Sequence, residues 1–281
     1  MSSIPAKTYP LRLPRGSLRI AEMAGSLPLL RSLLRAAYAR RFDGAQGQIR
    51  MFRGVYPDFQ SAARTIPGTR LTGYDNEPSA LRLEDERLRI TSSDYPIMFW
   101  LSQLLPHSKL LLDWGGNVGI SYFGFRRYLC YAPDFTWLVN DVPAVVARGR
   151  VIAARESAPH LRFTTSLNEL AQADVLLAGG SLHFIEDPFS ILRAAAALPG
   201  HILVNKVPVY DRASAVTVQN IGSALCPNHL FNRAEFVLGF ERLGYELSDQ
   251  WNIADLSCHI PFFSSHSIAA YSGFYFRRVS G

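Results

Sequence analysis

The chain has 281 residues, of which 48% are hydrophobic and 19% charged: enough apolar material for a full core and too little charge for a disordered chain. Three separated cysteines, Cys130, Cys226 and Cys258, exclude a disulfide framework and a C-x-x-C zinc site, so the chain reads as reduced, intracellular and cytoplasmic. The net charge of +6 resides in the first fifty residues, which hold nine Lys/Arg against Glu22 and Asp43; the remainder balances at −1, which argues against a cationic, nucleic-acid-binding body.

Residues 1–26 carry Pro5, Pro10, Pro14, Gly16 and Gly25 and read as irregular. Leu27, Leu30, Leu34 and Tyr38 then recur at helical spacing between Arg31, Arg35, Arg40 and Arg41, which predicts a basic amphipathic helix ending near Asp43-Gly44. Packing on its own protein or on a second copy, as a homodimer, is the favoured role; an anionic membrane surface is the alternative. Residues 1–50 are read as this extension, 51–107 as a helical and loop lid, and 108–281 as the main domain. In the lid, Phe52 to Phe59 is aromatic and turn-rich, and Asp58 is placed to cap a short helix through Ala63. Tyr56 and Tyr74 are candidates to face an acceptor. Ser93-Asp94 predicts the start of a helix with Pro96 in its first turn.

From Lys109 onward strands and helices alternate. Strands are expected at Lys109–Asp113, Phe135–Val139, Leu161–Thr165, Asp174–Ala178 and His201–Lys206, with helices between them. A long connection from Pro208 to Asn232 leads to a helix at Ala234–Leu243. Two last strands, Tyr245–Gln250 and Gly273–Val279, have no helix between them and should pair antiparallel. The expected fold is α/β: a doubly wound, mostly parallel, seven-stranded Rossmann-like sheet with an antiparallel last strand.

Ligands of such sheets bind outside the carboxyl ends of the strands. The first strand ends in Asp113, followed by Gly115, Gly116 and Gly119, which let the chain turn and let a ligand approach the main chain. A dinucleotide fold needs G-x-G-x-x-G to hold pyrophosphate, and that spacing is absent. A carboxylate at Asp113 repels pyrophosphate and attracts an ammonium group, which disfavours a nicotinamide-dependent oxidoreductase. S-adenosylmethionine (SAM) carries an amino acid, a ribose and a sulfonium, and no phosphate. Asp113-x-Gly115-x-Asn117-x-Gly119 resembles the D-x-G-x-G-x-G loop of class I SAM-dependent methyltransferases, with Asn117 in place of the middle glycine.

The other strand ends complete the candidate site. Asp141 stands where ribose hydroxyls would lie, and a carboxylate accepts from both at once; capping the helix at Pro143 is its other reading. Thr165 or Ser166 would border adenine, Ser166 being equally a helix cap. Gly180, Ser181 and Leu182 would lie under the methionine part. His183 or His229 could take a proton from an acceptor, since histidine titrates near neutrality; a structural role is the commoner one for a solitary loop histidine. Lys206, Tyr210 and Gln219 are substrate-binding candidates, and His259 and His266 rank third. No G-x-S-x-G and no cluster of hard-cation ligands is present.

Together Phe52-x-Gly54-x-Tyr56, Gly73-Tyr74-Asp75, Asp141-x-Pro143, Gly180-Ser181-Leu182-His183-Phe184-x-x-Asp187-Pro188, Gln219-Asn220 and Leu243-Gly244-Tyr245-Glu246-Leu247 with Trp251 resemble a bacterial family of class I methyltransferases associated with polysaccharide and cell-surface biosynthesis. Asp141 stands where that family would be expected to have Glu. The resemblance covers roughly residues 51–255. It implies SAM as cofactor, S-adenosylhomocysteine as product, and methylation of a small-molecule or glycan-precursor acceptor, most simply on oxygen. A non-catalytic scaffold or partner-binding protein of the same fold is the alternative, motivated by Asn117 and by the lack of an adenine-pocket acid.

Overall fold

The computed structural model describes residues 28–44, 49–82, 84 and 88–279. The chain divides into two compact units, Met1–Gly44 and Ala45–Gly281. In the first, helix α1 spans Pro28–Gly44, and the Tyr38 and Phe42 rings pack 6.3 Å apart one turn from each other. The reading of residues 1–26 and of Leu27 lies outside the described residues. Among the described residues no helix is long and apolar enough to cross a membrane.

The second unit contains the expected seven-stranded sheet. Its strands are β2 (Leu110–Trp114), β3 (Thr136–Asn140), β4 (Leu161–Thr164), β5 (Val175–Gly179), β6 (His201–Val207), β10 (Tyr245–Ile253) and β11 (Tyr271–Arg278). Their order is β10-β11-β6-β5-β2-β3-β4, with β11 antiparallel to both of its neighbours and the central strands parallel. This is the layout implied by the class I methyltransferase resemblance. The helices that follow β2, β3 and β5 are α5 (Ile120–Phe125), α6 (Pro143–Arg155) and α7 (Pro188–Ala194); α8 (Arg233–Glu241) precedes β10.

Successive strand residues face opposite sides of a sheet, and β2 shows the consequence. Leu111 enters a core with Ile97, Leu101, Phe123 and Trp137, whereas Leu112 enters a second with Leu176, Leu192, Phe236 and Phe274. A strand with both faces covered reads as an unbroken apolar run, as β2 does. The edge strand β10 instead alternates buried and exposed residues.

A second, four-stranded sheet differs from the expectation. Ile49–Tyr56 is a strand, β1, rather than a turn-rich segment. Pro208–Asn232 is not a long loop: it holds the short β7 (Val209–Tyr210) and a hairpin of β8 (Ala215–Ile221) and β9 (Leu225–Asn232). The order is β1-β8-β9-β7, with Phe52 opposite Gln219 and Val216 opposite His229. Pro227 disguised β9, because proline cannot donate to a ladder. It fits here because β7 pairs with β9 only at Phe231 and Asn232. Between these sheets lie α2 (Phe59–Ala63), capped by Asp58 through a 2.6 Å bond from Ser61 N, α3 (Glu77–Arg82) and α4 (Tyr95–Leu104) in chain order.

Leu111 is fully buried between β3 and β5. Leu111→Ala removes three carbons and leaves a cavity, so it should lower unfolding free energy by about 2–5 kcal/mol, read from urea denaturation midpoints.

Candidate active site

The site gathers at the carboxyl ends of β2, β3 and β5. After Trp114 the chain turns through Gly115 at φ 71°, Asn117 at φ 57° and Gly119 at φ 88°, all left-handed. Asparagine is the residue that most readily replaces glycine in this region, because its short amide bonds locally. Here Asn117 Oδ1 accepts from Val118 N at 2.8 Å. The departure from the glycine pattern therefore keeps the shape of the loop, and it no longer argues for a non-catalytic protein.

Asp113 lies beneath this turn. Its side chain is fully buried, Trp137 Nε1 donates to Oδ2 at 3.0 Å, and Oδ1 has no partner among the described residues. A Cβ on Gly116 would stand 2.4 Å from the Asp113 carboxylate, so only glycine lets the loop close over the acid. The expectation that Asp113 meets an ammonium directly needs correcting: the loop covers it, and its charge acts from below. A Cβ on Gly115 would stand 2.3 Å from Ser181 Cβ, which locks this turn to the one after β5. Ser181 Oγ also donates to Trp114 O, and Gly115 N donates to Asn140 O at 2.8 Å.

Asp141 joins two loops. Oδ2 accepts from Asn117 N and Oδ1 from Val142 N, both at 2.8 Å. Each carboxylate oxygen can take a second bond, so capacity remains for hydroxyls. The helix at Pro143 is capped from elsewhere: Asp75 Oδ1 accepts from Ala144 N at 2.9 Å. No sequence spacing could announce a contact 69 residues apart. Asn140 Nδ2 reaches Ser166 O at 2.9 Å, and Ser166 Oγ accepts from Asn168 N at 3.0 Å, one residue ahead of the Leu167 that stands at the helix start. Thr165 is exposed beside them.

The remaining candidates divide. Gly180, at φ 102°, and Leu182 lie beside Ser181. His183 is buried against Phe184, and burial lowers its pKa to about 3. A group so weakly basic makes a poor proton acceptor at neutral pH. His229 does not join the loop: its Nε2 donates to Glu186 O at 2.9 Å and its ring lies between Phe59 and Phe231. Lys206 Nζ pairs with Asp94 Oδ1 at 2.6 Å and is not held ready for an anion. Tyr210 donates to Ala213 O, and Tyr56 accepts from Thr65 Oγ1, so neither phenol is turned to the glycine loop. Tyr74 packs edge-on to Phe184, and Gln219 accepts from Asn228. Among the described residues no cluster of three or more His, Cys, Asp or Glu is placed to hold a metal.

Burial raises Asp113 to about 7 and Asp141 to about 6, and the neighbouring charges add to it: Asp141 acts on Asp113, and Asp75 on Asp141. Between the ordinary carboxylate value of about 3.9 and these values, the folded chain holds protons that the unfolded chain has released. Stability from these groups is therefore highest at low pH, falls as pH rises through about 6 and 7, and the penalty is complete above that. The contribution of these two acids to the ligand-free urea midpoint should fall between about pH 4 and about pH 7, and Asp113→Asn should flatten that part of the pH profile.

No protein-family model matches the chain, and no curated protein matches it. Solved structures similar to it include the N-terminal domain of EvdMO1 with S-adenosylhomocysteine bound: 13% identical, covering 68% of this chain and 83% of that one, TM-score 0.45. Another is the Burkholderia thailandensis 1,6-didemethyltoxoflavin-N1-methyltransferase with bound 1,6-didemethyltoxoflavin and S-adenosylhomocysteine: 14% identical, covering 99% of each chain, TM-score 0.47. A third is the CcbJ methyltransferase of Streptomyces caelestis: 16% identical, covering 74% of this chain and 99% of that one, TM-score 0.48.

Proposed function

We propose that the chain is a SAM-dependent methyltransferase acting on an oxygen of a sugar, a glycolipid precursor or another small metabolite. One observation carries this reading. A buried carboxylate, Asp113, and a half-buried one, Asp141, flank a glycine turn at the strand ends, and each is acted on by a neighbouring acid. A pyrophosphate would meet repulsion there. A ligand bearing an ammonium and a sulfonium would relieve it, and charge acts strongly in a buried site.

In this reading the main chain of Gly115, Gly116, Asn117 and Gly119 holds the amino-acid end of SAM. Asp141 takes the ribose hydroxyls, Thr165 and Ser166 border the adenine, and Gly180, Ser181 and Leu182 wall the methionine part. Bound SAM supplies an electrophilic methyl group on a sulfonium. The protein's part is to align an acceptor oxygen with that methyl and to exclude water, and orientation of this kind supplies much of the rate. In the same reading Tyr74, which packs on Phe184, and Gln219 would face the acceptor.

Titration calorimetry tests this directly. S-adenosylhomocysteine should bind, Asp141→Ala should weaken it by about tenfold or more, and NAD, which carries a pyrophosphate, should not bind. SAM should bind more tightly at about pH 8 than at about pH 5, because its cation prefers ionised carboxylates. Binding of NAD without S-adenosylhomocysteine would overturn the reading. Tight cofactor binding without methyl transfer to any cell extract would favour the scaffold alternative.

A further inference from the structure

Helix α6 begins with a cap that its own sequence does not supply. A helix N-terminus leaves N–H groups open, and a Ser, Thr, Asp or Asn just ahead of it normally accepts from the second or third. In α6 that place is held by Val142, whose side chain has no acceptor. Pro143 carries no N–H, and Val146 N already reaches Val142 O at 3.0 Å, so the donors the helix leaves open are those of Ala144 and Val145. Asp141, one residue ahead of the cap position, is committed elsewhere: its oxygens accept from Asn117 N and Val142 N, each at 2.8 Å. The cap comes from Asp75, whose Oδ1 accepts from Ala144 N at 2.9 Å.

Asp75 is fixed from both sides. Ahead of it, β9 grips the chain twice: Leu225 N donates to Leu71 O at 2.9 Å, and Gly73 N donates to Leu225 O at 3.2 Å. Tyr74 packs edge-on to Phe184, 5.3 Å between ring centroids. Behind it, Asn76 closes the turn and starts α3: its Nδ2 donates to Gly73 O at 3.0 Å, and its Oδ1 accepts from Ser79 N at 2.9 Å. Ser79 Oγ meets Ser223 Oγ at 2.7 Å, and beyond α3 Glu84 pairs with Arg148 and Arg155 of α6. Residues 71–82 with Glu84 thus strap the β8–β9 hairpin to α6.

Two roles compete for Asp141. A carboxylate just ahead of a helix is drawn to the open donors and to the positive end of the helix dipole. If Asp141 turned to cap α6, it would give up Asn117 N and swing away from the glycine loop. Asp75 stands close enough for its charge to act on Asp141, so both acids answer to the same helix end. With Ala144 N filled from the strap, Asp141 keeps its bond to Asn117 N.

Resting on the methyltransferase reading, we infer that Asp75 is a positioning residue for the cofactor: by capping α6 from outside the helix, it holds Asp141 toward the glycine loop, where Asp141 takes the ribose hydroxyls. Asp75 acts through Asp141 and not on the ligand.

The test compares binding of S-adenosylhomocysteine and of its 2′-deoxy analogue to the full chain. The parent should prefer the hydroxylated ligand by about tenfold or more, since a site that bonds a hydroxyl rejects the analogue lacking it. Asp75→Ala should weaken S-adenosylhomocysteine by about fivefold or more and lose most of that preference. Asp75→Asn, whose amide oxygen can still accept from Ala144 N, should keep both. Val142→Thr places an acceptor at the cap position of α6 itself, and added to Asp75→Ala it should restore both. In an Asp141→Ala background, Asp75→Ala should cost nothing further. A merely structural Asp75 would weaken the two ligands alike and leave the preference intact, which would overturn the inference, as would a parent without the preference. If thermal melts show Asp75→Ala unfolded, the double variant with Val142→Thr should fold and prefer S-adenosylhomocysteine as the parent does; its failure to do so also overturns the inference. Failure of S-adenosylhomocysteine to bind the parent chain sinks the methyltransferase reading, whereas binding with an unchanged preference in Asp75→Ala sinks only the positioning role.

Discussion

The structure depends on a carboxylate that the chain folds over itself. Asp113, next to last in β2, carries a carboxylate out of water, with one hydrogen bond from Trp137 and a glycine pressed against it. Burying such a group without a counter-charge is unfavourable. The surrounding architecture keeps it there: β3 supplies Trp137 and β5 the turn that locks Gly115. The glycine loop is thus held in its curve before any ligand arrives, at the expense of stability in the free protein. A binding site that stores unfavourable charge and releases it on binding converts folding energy into affinity.

Asp141 extends the same logic sideways. By accepting from Asn117 N and Val142 N it joins the loops after β2 and β3 into one surface. With Asp75, which accepts from Ala144 N, it places two acids at the entrance to α6.

The large sheet was legible from the sequence because its signals are local. Doubly buried strands are continuous apolar runs, and Asp58, Pro143 and Asp187 mark helix starts by adjacency. The glycine turn after β2 was legible for the same reason. The small sheet was not, because its pairing joins β1 to β8 across more than 150 residues and Pro227 sits within a strand. The contacts that decide which polar groups are available were equally hidden. Lys206 looked free until Asp94 was found beside it, and His229 looked like a base until its ring proved to donate to the main-chain carbonyl of Glu186. These are long-range facts, and residue type alone does not carry them.

The chain passes from the large sheet to the small one with a single residue between strands: β6 ends at Val207 and β7 begins at Val209. The hairpin of β8 and β9 is therefore spliced into one continuous β ribbon, inserted between β6 and α8. An insertion joined this way can change in length or in sequence while the strands of the large sheet keep their pairing, so some twenty-five residues form a part of the fold that varies independently of the rest.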